Sequence, residues 1–310
     1  MGAEKILITG ALGQVGSELT EALQKEFGID HVVATDIRES ESFEGIFETL
    51  DVTDSNRFHE LVKKHSVGTI YNLAAILSAV GEKKPAMAWD LNMTGHFNVL
   101  NLAKEKLINK VYWPSSIAVF GPSTPKENTP QSCVMDPNTV YGISKLAGER
   151  WNAYYNEKYG VDVRSLRYPG LIGYKTLPGG GTTDYAVDIF HQAIKEGKYE
   201  SFLGPDTLLP MMFTEDAIRA TIEITEAPVD QIKIKSSYNL AAMSFSPSEL
   251  AAAIKKQIPE FEISYNPDFR QQIANSWPGS IDDSAARNDW NWQHQYGIHE
   301  LVEVMLSNLR

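Results

Sequence analysis

Short β-branched runs alternate with longer segments whose apolar residues recur every three to four positions, and this alternation fills the first half of the chain. Lys5–Thr9 reads as a buried strand, and Gln14–Phe27 as a helix with Val15, Leu19, Ala22 and Leu23 on one face. His31–Asp36 and Ile46–Leu50 are the next strands, and Ser55 caps a helix running to about His65. Thr69–Leu73 is a strand, Pro85 opens a long helix to about Lys104, and Lys110–Trp113 is a strand again. Thr139–Tyr159 is helical, and Asp162–Tyr168 reads as one further strand. The alternation predicts a doubly wound α/β architecture, a mostly parallel sheet covered by helices on both faces.

The second half is less regular. Leu177–Thr183 is a glycine-rich loop that runs into a helix from Asp184 to about Glu196. Thr214–Glu226, Ser246–Gln257 and the turns near Glu300 read as helices; Tyr199–Phe202, Ser237–Ala241 and Ile263–Tyr265 read as short strands. No repeat, charge block or low-complexity linker separates independent units. The expectation is a dinucleotide-binding domain over residues 1–170 and a small C-terminal substrate-binding lobe over 171–310. The segment at about 214–240 is expected to return to the first domain.

Composition narrows the function. A chain of 310 residues that is 43% hydrophobic buries an ample core without metal or disulfide support. A formal charge of −12 argues against a nucleic-acid binder and against docking on anionic membranes. An anionic small molecule stays open, because backbone N–H groups hold phosphate inside acidic proteins. Cys133 is the one cysteine, so no disulfide forms within the chain, and the seven histidines show no clustered metal spacing. No metal site is expected. The N-terminus lacks a signal peptide's long apolar region, and no stretch approaches ~20 apolar residues. A cytoplasmic enzyme is the expectation.

The candidate chemistry sits at strand ends. Gly10-Ala11-Leu12-Gly13-Gln14-Val15-Gly16 lies where strand turns into helix. Its glycines allow a tight turn and close approach to a pyrophosphate, and the helix start supplies N–H donors. A tight turn alone would explain three glycines; the strand-to-helix context favours a dinucleotide site. Asp36 ends the second strand, where a carboxylate accepts both hydroxyls of an adenosine ribose and repels a 2′-phosphate. NAD is therefore expected over NADP, with Ile37 flanking and Arg38 as the complication, since a nearby arginine accommodates that phosphate. Asp51 and Val52 are candidate adenine contacts. Leu73, Ala74 and Ala75, after Asn72, are small enough to let the chain pass close to the cofactor. Leu91-Asn92 is read as internal structure.

Tyr141-Gly142-Ile143-Ser144-Lys145 is the most specific feature. Four positions along a helix bring the Lys145 ammonium towards the Tyr141 phenol, and a cation there favours phenolate, a base for a substrate hydroxyl. Ser115-Ser116 offers a hydroxyl from a separate strand end. These motifs, together with Pro114–Gly121 and Arg167-Tyr168-Pro169-Gly170, resemble the extended short-chain dehydrogenase/reductases over nearly the whole chain. The resemblance implies a Rossmann fold and a catalytic triad of Ser116, Tyr141 and Lys145, with Lys145 also on the nicotinamide ribose. It implies Tyr168, Pro169, Gly170 and Leu171 at the nicotinamide, and a homodimer packed through the Pro85–Lys104 and Thr139–Tyr159 helices.

Within that group, Tyr168-Pro169 stands where nucleotide-sugar epimerases usually carry Phe-Asn, and the substrate segment is short. Leu177–Ala186, Ser246-Pro247 and Asn275–Asp283 resemble the short-chain L-threonine 3-dehydrogenases. That likeness implies oxidation of the L-threonine 3-hydroxyl with NAD. Gly180, Thr182 and Thr183 would hold the substrate carboxylate, with Ser78 a further contact and Ser116 and Tyr141 on the hydroxyl. Thr183 also suits the N-cap of its helix, and Trp277 suits either a pocket wall or plain packing. Asp184 is the candidate for the substrate ammonium. The alternatives are a nucleotide-sugar epimerase or dehydratase and, more remotely, a non-catalytic NAD sensor.

Overall fold

The strands of the first half line up as one parallel sheet in the computed structural model, which describes residues 4–177, 179 and 181–310. The chain runs β1 (Lys5–Thr9), α1 (Gln14–Phe27), β2 (Val32–Asp36), β3 (Ile46–Thr49), α2 (Ser55–His65), β4 (Val67–Asn72) and α3 (Ser78–Lys83). Next come α4 (Pro85–Lys104), β5 (Lys110–Tyr112), β6 (Ser115–Ser116), α5 (Val140–Tyr159), β7 (Asp162–Arg164), β8 (Leu166–Tyr168) and β9 (Gly170–Ile172). Then follow α6 (Tyr185–Glu196), β10 (Lys198–Ser201), β11 (Leu209–Phe213), α7 (Thr214–Glu226), β12 (Tyr238–Asn239) and β13 (Met243–Phe245). The last elements are α8 (Pro247–Lys255), β14 (Glu262–Tyr265), α9 (Arg270–Ser276), α10 (Ser284–Trp290) and α11 (Ile298–Leu309).

The main sheet has the order β3-β2-β1-β4-β5-β7, every pair parallel. From β1 the chain builds outward in one direction and then, from β4, in the other. That reversal opens a crevice at the carboxyl ends of the two central strands. Side-chain alternation covers both faces. Leu7 and Val33 pack with Phe58, Leu61 and Leu100 of α2 and α4, whereas Ile8 and Ala34 pack with Leu19, Leu23 and Ile224 of α1 and α7. A third core joins Ile117–Phe120 to residues of the second half, including Phe190, Met211, Phe245 and Met305.

Several boundaries differ from the pattern. Asp54, not Ser55, caps α2, its carboxylate accepting from the Arg57 N–H at 3.0 Å while Ser55 lies inside the first turn. Thr139 is the N-cap of α5, accepting from the Gly142 N–H. The expected strand Asp162–Tyr168 is two strands. At Ser165 the carbonyl accepts from Tyr238 N–H and the hydroxyl donates to Ser237, so β8 leaves the main sheet and lies between β6 and β12. Helices α3, α9 and α10 and strands β9 and β13 escaped the pattern because they are short, and β11 escaped it as well. In β11, Pro210 disguises a fully buried strand.

One buried ion pair ties this crossover together. Arg167 of β8 meets Glu149 of α5 through two hydrogen bonds, 2.7 and 2.8 Å, with both side chains at most 2% exposed. Arg167 also donates to Gln131 O and Asn239 Oδ1, and the Ser115 hydroxyl donates to Glu149 at 2.6 Å. Arg167 and Ser115 thus meet on one carboxylate, and the same guanidinium ties in the loop at Gln131 and β12. Glu149→Gln leaves the guanidinium without its counter-charge and should cost about 3–5 kcal/mol in denaturant unfolding. A loss below about 1 kcal/mol would show that the pair does not brace the crossover.

Candidate active site

At the end of β1 the chain turns through Gly10, whose φ of +69° is a left-handed conformation that side chains disfavour. A Cβ on Gly16 would lie 2.1 Å from the Gly10 carbonyl, so α1 presses against the turn only because that position is glycine. Gly13 caps α1 without a side-chain bond, and the first turn carries no acidic residue. Its N–H donors and positive dipole end therefore face the crevice without a built-in anion.

A cavity of about 310 Å³ begins there. Gly10, Gly13, Asp36, Ile37, Arg38, Asp51, Val52, Leu73, Ala74 and Ala75, all anticipated, line it; Gly16 packs behind the turn instead. Leu50, Ile76 and Leu91 complete the wall and were not anticipated. Leu91 departs from the internal reading, while Asn92 fits it: its side chain bonds Ile76 N–H, Ile76 O and the Ser144 hydroxyl. The signal for Leu91 was its place one step before that buried asparagine.

Asp36 is buried and accepts from Leu12 N–H at 3.1 Å and from the Arg38 N–H and guanidinium at 3.0–3.2 Å. Burial alone would raise its carboxyl, but the bonds from Arg38 and Leu12 outweigh it and hold the group below the usual carboxylate range. Asp36 is thus an anion at the end of β2, and Arg38 spends its fork on it.

A second cavity, about 190 Å³, shares Leu73 and Ala75 with the first, so the two form one cleft. Gln14, Val15, Ser78, Ser116, Tyr141, Lys145, Tyr168, Pro169, Leu171, Thr182, Thr183 and Trp277 line it, as anticipated. Gly180 lies outside the described residues. Ser115, which the sequence also offered, lines it too, and the walls given no role from sequence are Leu77, Pro114, Ile117 and Gly181. The two serines divide the work: Ser115 donates to Glu149, whereas Ser116, whose hydroxyl accepts from the Ala118 N–H at 3.2 Å, lines the cavity beside the Tyr141 phenol and draws its pKa down. The Tyr168 hydroxyl points away, to Tyr112 and Thr221.

Two expectations need correction. Asp184, not Thr183, occupies the N-cap position of α6, and its carboxylate turns back to accept the Gly181 N–H at 2.7 Å. Thr183 is held instead against Gly170, where a Cβ would lie 2.7 Å from its methyl group. The Lys145 ammonium does not rest on the phenolic oxygen; it donates to Pro114 O at 2.6 Å and lies 5.5 Å from the centre of the Tyr141 ring. Desolvation consequently dominates both groups. Burial pushes the Tyr141 phenol up to about 12, against the Ser116 hydrogen bond, and pushes Lys145 down to about 7, against the field of Glu149. Trp277 belongs to both readings, 7% exposed in the C-terminal core and on the cavity wall. Among the described residues no group of three or more His, Cys, Asp or Glu side chains is placed to hold a metal ion.

Residues 6–241 match the model of the NAD dependent epimerase/dehydratase family. The chain belongs to that family. The cleft fits the cofactor: an uncapped helix start for a pyrophosphate, a buried anion for a ribose, and a glycine turn that leaves room between them. The mitochondrial L-threonine 3-dehydrogenase of Bos taurus is 46% identical over 98% of this chain and 82% of its own length. The holo form of a GalE-like L-threonine dehydrogenase from Cupriavidus necator superposes with a TM-score of 0.97. It is 55% identical over 99% of this chain and all of that one. A monomeric L-threonine 3-dehydrogenase from a metagenome, in its apo form, is 48% identical over 98% of both chains, with a TM-score of 0.95.

Within this family frame Asp36 should set cofactor choice. Asp36→Ala is expected to weaken NAD binding by roughly 10-fold or more, the loss of about one charge-assisted hydrogen bond, and to narrow the preference over NADP. Calorimetric titration with both dinucleotides checks it, and an unchanged ratio of affinities would rule the role out.

Proposed function

We propose that this chain oxidises the 3-hydroxyl of L-threonine to 2-amino-3-oxobutyrate, with NAD as acceptor. The observation that carries the reading is the charge inventory of the substrate end. Of the described residues lining that cavity, Lys145 and Asp184 alone are charged. A nucleoside diphosphate needs cationic forks or several N–H donors beyond one lysine already committed to the Pro114 carbonyl. A small zwitterion needs only a few hydroxyls and one carboxylate. The L-threonine dehydrogenases to which the chain is similar, matched over 82–100% of their own length, support the same substrate.

The residues divide accordingly. Thr182 and Thr183 hold the substrate carboxylate with the N–H groups of the glycine loop, and Gly180 is assigned there from sequence alone. Asp184 faces the ammonium, and Ser78 borders the substrate from the α3 side. Ser116 and Tyr141 bond the reacting hydroxyl, and Tyr141 takes its proton. NAD, once bound, supplies the acceptor for the hydride leaving the substrate carbon and a positive ring beside the phenol. Gln14 and Val15, with Tyr168, Pro169 and Leu171, shape the floor that positions that ring. Trp277 closes the cavity from the C-terminal lobe and keeps water out.

Phenolate is the working form of the base, and burial raises the phenol, so rates should rise with pH from about 6 to 9. Tyr141→Phe should lower turnover of L-threonine by roughly 100-fold to 10,000-fold, with NAD affinity little changed. Substantial residual turnover in that variant would remove Tyr141 from the role of base.

We further propose a homodimer through α4 and α5. These helices expose Met87, Trp89, Ile143, Trp151, Tyr154 and Tyr159, and Trp151 stacks edge-on with Phe97 and Tyr154. So large an apolar patch calls for a partner, although one 48% identical relative is monomeric. Sedimentation at micromolar concentration should give twice the chain mass, and a Trp151→Glu variant should give one. A wild-type monomer would refute the dimer. The expected compartment is the cytoplasm, where a lone thiol such as Cys133 stays reduced.

A further inference from the structure

A buried ammonium must be kept charged if it is to favour a phenolate, and burial works against that charge at Lys145. A carboxylate in direct contact would restore it, but its negative charge would also cancel the field at the phenol. The structure holds the cation another way. Lys145 Nζ lies 4.3 Å from the centre of the Trp113 indole, and its hydrogen bond goes to the carbonyl of the next residue, Pro114. Trp113 is 4% exposed and directly follows β5, with Pro114 between it and the β6 strand that carries Ser116.

The indole is fixed from two further sides. The His96 ring of α4 stacks on it, centroids 4.5 Å apart and planes 24° from parallel, and His96 Nε2 lies 2.7 Å from Asn152 Oδ1. Burial pushes His96 down to about 3, so the ring beneath the indole is neutral and adds no like charge. On α5, Gly148 leaves the space the indole occupies: a Cβ there would lie 2.4 Å from Cη2 and 2.6 Å from Cζ2. Three elements thus position one aromatic face under one ammonium.

We propose that Trp113 is a positioning residue for the reaction, its indole face keeping the Lys145 ammonium charged and aimed at Tyr141 without adding negative charge beside the phenol. An aromatic quadrupole attracts a cation while carrying no net charge, and the attraction strengthens where water is excluded. The other ionisable groups around Lys145 do not replace it. On α5, Tyr141 is the base itself, and Glu149 is shared between Arg167 of β8 and Ser115. On α4, His96 is neutral. Asp184 borders the far side of the cavity and accepts from the Gly181 N–H. The inference rests on the assignment of Tyr141 as base and not on the identity of the alcohol.

The test compares Trp113→Leu, Trp113→Phe and Gly148→Ala with the unmodified chain. The first readout needs no turnover: the Lys145 pKa by NMR of the lysine side chains, assigned with Lys145→Arg. It should fall by about one unit in Trp113→Leu and less in Trp113→Phe, the size of one desolvated cation–π contact. The second is the pH profile of kcat/KM. Its acid limb should move to higher pH in Trp113→Leu, and likewise in Gly148→Ala, whose new methyl displaces the indole. A Lys145 pKa and acid limb unchanged in the variants, with rates equal or uniformly lowered at every pH, would overturn the proposal and leave Trp113 as packing. Should Trp113→Leu not fold, Trp113→Phe and Gly148→Ala decide between the same two outcomes. If L-threonine is not a substrate of the unmodified chain, the NMR comparison still decides the role of Trp113.

Discussion

Taking a cation and a phenol out of water together is the constraint around which the site is arranged. Left to desolvation, Lys145 loses its proton near neutrality and Tyr141 keeps its own well above it, the reverse of what base chemistry needs. The fold answers with fixed dipoles and rings in place of a direct counter-ion. The Pro114 carbonyl and the Trp113 indole hold the ammonium, and the Ser116 hydroxyl reaches the phenol. The nearest carboxylate, Glu149, is kept busy by Arg167 and Ser115 and acts on Lys145 only through its field.

This arrangement makes the crossover at Ser165 more than a detail of topology. Were Asp162–Tyr168 a single strand of the main sheet, Arg167 would be carried away from α5 and Tyr168–Leu171 away from the cleft. The break lets β8 pair with β6, which places Ser116, Arg167 and Tyr168 within one small sheet, from which the chain runs on through Pro169 and Leu171 along the cavity wall. The larger sheet supplies the other half, the Gly10 turn and the Asp36 carboxylate, at the carboxyl ends of β1 and β2. Stability of the crossover and geometry of the site share the same buried ion pair.

Much of this was legible in the sequence because it is written in local rules. The glycine turn, Asp36 at a strand end and the four-residue spacing of Tyr141 and Lys145 each follow from backbone geometry over a few positions, and the cleft brings them together. The main helices α1, α4 and α7 have the bounds their periodicity predicts. What sequence did not show is long-range. The break at Ser165 is set by Ser237 and Tyr238, some seventy positions away. Leu77 and Ile117 reach the cavity by packing alone. The direction of the Tyr141 and Lys145 shifts depends on burial that no spacing reveals. Trp113 carried no motif, and its place beside Lys145 emerges only when β5, α4 and α5 are assembled.

On this arrangement the site performs net oxidation of a small zwitterionic alcohol. Absorbance of NADH on mixing the protein with NAD and L-threonine, beside parallel reactions with L-serine, L-allo-threonine and a UDP-sugar, tests it most directly. Stoichiometric NADH with L-threonine, and none with the UDP-sugar, is expected. Conversion of the UDP-sugar with no net NADH, and silence with L-threonine, would contradict it.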